Sequence, residues 1–125
     1  MAKKILVVDD DLTDLTLIEA RLCREGYEVV KSANGAVGLI AAKNVLPDLV
    51  ILDVEMPGMD GYTFLGEIRK IDLLKDVPVI ILTSHDEHER IFQRRGIKAY
   101  LSKPVNFDEL IPRIVQLIGE GSPKV

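Results

Sequence analysis

Five polar side chains stand where chemistry could be done. Asp9 and Asp10 follow the apolar run Ile5–Val8, and Asp53 follows Leu49–Leu52. Thr83 follows Val79–Leu82, and Lys103 follows Ala99–Leu101 with Pro104 after it. Three carboxylates facing one lysine leave negative charge unbalanced. Two carboxylates ~4 Å apart repel by about 4 kcal/mol at an effective dielectric near 20. Such a cluster must protonate or hold a cation. An all-oxygen set favours a hard ion, Mg²⁺ or Mn²⁺, over zinc. A metal, a lysine and a hydroxyl around one carboxylate form a cradle for a phosphoryl group. The metal and lysine neutralise its oxygens, and the carboxylate acts as nucleophile.

These residues can meet only if the intervening elements fold back repeatedly. The runs Ile5–Val8, Leu49–Leu52 and Val79–Leu82 are rich in aliphatic residues and lack alternation. That pattern predicts strands buried on both faces, as in a parallel sheet. Tyr27–Val30 and Ala99–Leu101 are weaker strand signals. Between them lie amphipathic segments. Leu12, Leu15, Ile18 and Leu22 recur at helical spacing, with Gly26 as a stop. A second helix is expected over Ala36–Asn44, opened by Asn34 and closed before Pro47. Tyr62, Leu65 and Ile68 mark a third, Asp86–Arg95 a polar fourth stopped by Gly96, and Asn106 with Glu109 the start of a fifth. Pro112 should bend that last helix or cost it a hydrogen bond. Strands alternating with helices predict a doubly wound α/β domain. In such sheets the site lies beyond the carboxyl ends of the strands.

The chain resembles the receiver domain of bacterial two-component response regulators. The resemblance is carried by Ile5-Leu6-Val7-Val8-Asp9-Asp10-Asp11, Pro47-Asp48-Leu49-Val50-Ile51-Leu52-Asp53 and Met56-Pro57-Gly58-Met59-Asp60-Gly61. Pro78-Val79-Ile80-Ile81-Leu82-Thr83 and Tyr100-Leu101-Ser102-Lys103-Pro104 complete it. Five motifs in order, covering roughly Lys3 to Ile118, make the match specific. It implies a flavodoxin-like five-stranded parallel sheet of order 2-1-3-4-5 with five helices. It also implies roles. Asp53 matches the phosphoacceptor, which takes a phosphoryl group from a kinase phosphohistidine. Asp10 matches the direct Mg²⁺ ligand, Asp9 its partner through water, and the Glu55 backbone carbonyl a further ligand. Lys103 matches the lysine that pairs with Asp53 and then with the phosphoryl oxygens. Thr83 and Tyr100 match the switch hydroxyl and switch aromatic, and a cis Lys103–Pro104 bond is expected. Glu55 and His85, two residues beyond Asp53 and Thr83, are expected to tune the phosphoryl lifetime.

One departure stands out. Thr83 and Lys103 are 20 positions apart, about two fewer than is typical, or a little over half a helical turn. The loss falls between Thr83 and Gly96, so the fourth helix is expected to be short or irregular. The resemblance places the signalling surface on the fourth helix, fifth strand and fifth helix, and this departure bears on it directly.

Composition bounds the rest. The chain of 125 residues carries 16 basic and 20 acidic residues, for a net charge of −4. That argues against direct nucleic-acid binding, which needs a basic footprint. The single cysteine, Cys23, excludes an internal disulfide and is read as a small packing residue near the apolar face of the first helix. No apolar run approaches the ~20 residues of a membrane span, and no signal peptide is evident, so a cytoplasmic setting is expected. Residues 1–120 read as one domain and 121–125 as a tail or linker start.

The combined reading is a signalling module, catalysing only its own phosphorylation and slow dephosphorylation. Its expected partners are a histidine kinase or phosphotransfer protein and a downstream protein target. The alternative is a pseudo-receiver that binds partners without phosphorylation. A haloacid-dehalogenase-type phosphatase, suggested by Asp53-Val54-Glu55, is disfavoured by the late position of that strand and the short chain.

Overall fold

The computed structural model describes residues 2–84 and 97–122. In chain order the elements are β1 (Lys4–Val8), α1 (Leu12–Arg24), β2 (Glu28–Ser32), α2 (Gly35–Val45) and β3 (Leu49–Leu52). Then follow α3 (Gly61–Arg69), β4 (Val79–Thr83), β5 (Ile97–Ser102) and the C-terminal helix α4 (Phe107–Ile118). The strands form one parallel sheet in the order β2-β1-β3-β4-β5. The helix expected over Asp86–Arg95 lies outside the described residues.

The unalternating strands are explained by the two layers around them. Successive strand residues point to opposite faces. Leu6, Val8, Val50, Leu52, Val79 and Ile81 pack toward one side, with Ala42 of α2 and Phe64, Leu65 and Ile68 of α3. Ile5, Val7, Leu49, Ile51, Ile80 and Leu82 pack toward the other, with Leu15, Ile18 and Leu22 of α1 and Leu110 and Ile114 of α4. Both faces are covered, so neither needs polar residues.

The helix boundaries follow local chemistry. Asp11, Asn34, Asp60 and Asn106 cap α1 to α4, each accepting from backbone N–H groups of the first turn. Helix α1 stops at Gly26, whose φ of 93° suits glycine. Helix α2 ends on Leu46 in the left-handed region, because Pro47 disfavours helical backbone in the residue before it. Pro112 sits inside α4 without ending it.

Two expectations on α1 need correction. Leu12 belongs to the helical repeat but is 67% exposed. It is the first residue of the helix, ahead of the turn at Leu15 that meets the sheet. Cys23 is exposed rather than packed. It follows the buried Leu22 by one position, and one step of ~100° around the helix carries it off the apolar stripe. Gly121 and Ser122, where the tail was expected to begin, lie against the α1–β2 turn, with Ser122 N–H donating to the Gly26 carbonyl at 2.9 Å.

Candidate functional site

Asp9, Asp53, Thr83 and Lys103 each end a strand or directly follow one, with the backbone pinned to a neighbour. Asp9 N–H donates to Ser32 O at 3.0 Å, and Asp53 N–H to Val8 O at 3.0 Å. Lys103 N–H donates to Thr83 O at 2.8 Å. These bonds carry the parallel ladders one step past the strands, so Asp9, Asp53, Thr83 and Lys103 share the carboxyl edge of the sheet. The Lys103–Pro104 peptide is cis, as expected.

The Met56–Gly61 stretch shapes the loop beneath Asp53. Gly58 has a φ of 77°. Gly61 passes so close to the strand end that a Cβ there would lie 2.6 Å from the Asp53 carbonyl oxygen. Its N–H donates to Val54 O at 2.8 Å, which holds the loop against the residue after Asp53. The start of α3 is thereby locked to the Asp53 backbone.

Lys103 sits at the centre of the charges. Its Nζ lies 2.7 Å from Asp9 Oδ2, 2.9 Å from Asp14 Oδ2 and 3.4 Å from Asp53 Oδ2. Asp9 and Asp53 are buried, Asp10 is exposed, and Thr83 is wholly buried. Asp53 Oδ1 accepts from Val54 N–H at 2.7 Å, and Asp9 Oδ1 from Asp11 N–H at 2.9 Å. Burial pushes the Asp9 carboxyl from 3.8 up to about 6, with Asp53 adding to the rise and Lys103 and the Asp11 N–H opposing it. For Lys103, burial favours the neutral amine. The hydrogen bonds to Asp9 and Asp14 and the nearby Asp53 charge outweigh it and raise the ammonium above the ordinary lysine range. The two shifts agree: one cation divided among several carboxylates is strongly held but cannot satisfy them all.

The donor set fits a hard cation. One carboxylate oxygen from each of Asp9, Asp10 and Asp53 lies within 4.8 Å of the others. Adjacent oxygens in an octahedral Mg²⁺ shell of ~2.1 Å bonds stand about 3 Å apart, so closure of these side chains would complete one side of such a shell. The residual negative charge supplies the driving force.

Asp9, Asp10, Asp53, Thr83 and Lys103 therefore meet as expected. Glu55 is exposed in the loop beyond Asp53. Tyr100 is half-buried on β5, opposite Ile81 in register, and packs on the face shared with Phe64. His85 lies outside the described residues. The residue that sequence reasoning missed is Asp14, which contacts Lys103 directly. Its only sequence signal is an acid in the first turn of α1, where acids are common for the helix dipole alone.

A parallel 2-1-3-4-5 sheet with an acidic cluster and a lysine at its carboxyl edge defines a class, and the comparisons agree on it. Residues 5–115 match the model of the response regulator receiver domain. The chain belongs to that family. It is 35% identical over 113 residues to the protein PilH of Pseudomonas aeruginosa, covering 89% of this chain and 93% of PilH. It is 36% identical to the response regulator PleD of Caulobacter vibrioides, covering 94% of this chain but only 26% of PleD. Among solved structures it is similar to the response regulator TrrA of Thermotoga maritima in complex with Mg²⁺ and BeF. The TM-score there is 0.84 at 39% identity, with 93% of this chain and 99% of the other covered. No helix among the described residues is long and apolar enough to cross a membrane.

Proposed function

We propose that this receiver domain is a phosphorylation-dependent switch in which Asp53 accepts the phosphoryl group. One observation carries the reading. The Asp53 carboxylate is buried beside a lysine ammonium at 3.4 Å, inside a carboxylate cluster of a size that suits a divalent ion. In the transfer, an Asp53 carboxylate oxygen attacks phosphorus and the new O–P bond forms. The N–P bond to the donor histidine breaks, and that nitrogen keeps the electron pair and takes a proton. Lys103 neutralises phosphoryl oxygens as they approach. Asp9 and Asp10, with Asp53 and the Glu55 carbonyl, would hold Mg²⁺ or Mn²⁺. When bound, the ion would add positive charge against the phosphoryl oxygens. Thr83, buried at the end of β4, and Tyr100, half-buried on β5, carry the change outward.

The donor is a histidine kinase or phosphotransfer protein, and the output is a protein target bound through the face that includes β5 and α4. The domain turns over no separate substrate and works in the cytoplasm. The test is incubation with acetyl phosphate and Mg²⁺, read by intact mass beside Asp53→Asn. A phosphoryl-sized gain that needs both Mg²⁺ and Asp53 supports the reading. No gain, together with no binding of beryllofluoride, refutes it in favour of a phosphorylation-independent binding module.

A further inference from the structure

The ion pair between Lys103 and Asp14 has no part in the chemistry above, yet at 2.9 Å it is tighter than the Lys103–Asp53 contact at 3.4 Å. Its origin is local. Asp14 is the third residue of α1, whose cap is Asp11. An acid at that position ordinarily turns back to accept the cap residue's own N–H. Here the Asp11 N–H is already taken by Asp9 Oδ1 at 2.9 Å. The Asp14 carboxylate is left to turn toward the sheet edge, where it meets Lys103. Asp11 meanwhile fixes the Asp14 backbone, accepting from its N–H at 3.2 Å and from Thr13 N–H at 2.9 Å.

We infer that Asp14 is a positioning residue that holds Lys103 back from Asp53 until an anion arrives. This rests on the reading of Asp53 as phosphoacceptor. Lys103 must give up Asp14 to close on a phosphoryl group, so Asp14 competes with that group for the ammonium. The same carboxylate draws the ammonium away from Asp53 and adds negative charge beside the cluster, which helps a metal cation to bind. Asp14 therefore acts with opposite sign on the two ligands. A carboxylate that only supported the helix start would affect both in the same direction.

The experiment is calorimetric titration of the full chain, first with Mg²⁺ alone, then with beryllofluoride at saturating Mg²⁺. Asp14→Asn is expected to weaken Mg²⁺ and to tighten beryllofluoride, each about three- to fivefold, as loss of a partly exposed ion pair would give. Asp14→Glu, which keeps the charge, should return both toward the parent. Asp11→Asn is the control, since asparagine caps as well as aspartate and removes the same charge without touching Lys103. If Asp14→Asn weakens both ligands or moves neither, or if Asp11→Asn moves both as Asp14→Asn does, the inference is overturned and the phosphoacceptor reading stands. If the parent itself takes no beryllofluoride, both fall together.

Discussion

Replacing a buried aspartate at the heart of the site should stabilise the metal-free protein. Asp9 is 2% exposed, and its carboxyl is raised from 3.8 to about 6, first by burial. At 1.36 kcal/mol per unit, holding it ionised in the fold at neutral pH costs about 3 kcal/mol. Asp9→Asn removes that cost and keeps one of the two acceptor oxygens, since Lys103 and Asp11 N–H donate to different oxygens of Asp9. The other hydrogen bond is forfeited, about 1 kcal/mol, while the Lys103 charge is already counted in the raised carboxyl. The net expectation is a gain of about 2 kcal/mol, or about 1 M in urea midpoint. The sign fixes the pH window. A raised carboxyl favours the fold fully below its unfolded value of 3.8 and loses that contribution as pH rises through about 6. The variant's advantage should therefore be small at pH 4, open between about 4 and 6, and stay level above. Urea unfolding in a chelator at pH 4 and pH 7.5 reads it directly. Saturating Mg²⁺ should close the gap, since ligand at a hundred times its Kd adds about 3 kcal/mol to the protein that binds it. A variant less stable than the parent at pH 7.5 in chelator, or a gap of equal size at both pH values, would refute the burial argument.

Three further outcomes are expected. Gly61→Ala drives a methyl to 2.6 Å from the Asp53 carbonyl, so it should cost about 2 kcal/mol by denaturant unfolding and also weaken Mg²⁺ binding, because the loop beneath Asp53 must shift. Arg69→Met removes the guanidinium that donates to the carbonyls of Leu74, Lys75 and Val77 at 3.3, 3.0 and 2.8 Å; about 2 kcal/mol should be lost, with Mg²⁺ affinity unchanged by calorimetry. Phe64→Ala empties a fully buried position between α3 and the sheet, and a loss of about 3–5 kcal/mol is expected by the same unfolding assay.

The sheet was legible because burial on two faces leaves an unmistakable pattern. Leu49–Leu52 is β3 as read, and Ile5–Val8 and Val79–Leu82 differ from β1 and β4 by one residue each. The edge strands were harder. In Ile97–Ser102 only Ala99 is buried, with Lys98 and Ser102 exposed, so the apolar signal is confined to a short stretch, Ala99–Leu101. The site was legible for a related reason. A polar residue straight after a buried strand has few places to go except the carboxyl edge, and this located Asp9, Asp53, Thr83 and Lys103. Asp14 escaped because its role depends on a lysine delivered from the far end of the chain. Nothing in its neighbours says that the Asp11 N–H is already committed. Leu12 and Cys23 misled in a complementary way, since helical spacing gives direction around an axis but not where along it the sheet begins.

The two ends of the domain are moored at one corner. Glu28 N–H donates to Lys3 O at 2.9 Å, and Ser122 N–H to Gly26 O at 2.9 Å, while the Tyr27 hydroxyl donates to Gly119 O at 2.6 Å. Three consecutive residues, Gly26, Tyr27 and Glu28, thus fasten both ends of the described chain at the amino edge of the sheet, opposite the acidic cluster. The topology is that of a nearly closed loop of chain. A short bridge between the two ends, with a new opening cut elsewhere, would leave every strand neighbour in place. The domain is equally suited to be spliced into the middle of a host protein through that corner, with its reactive edge facing away from the seam.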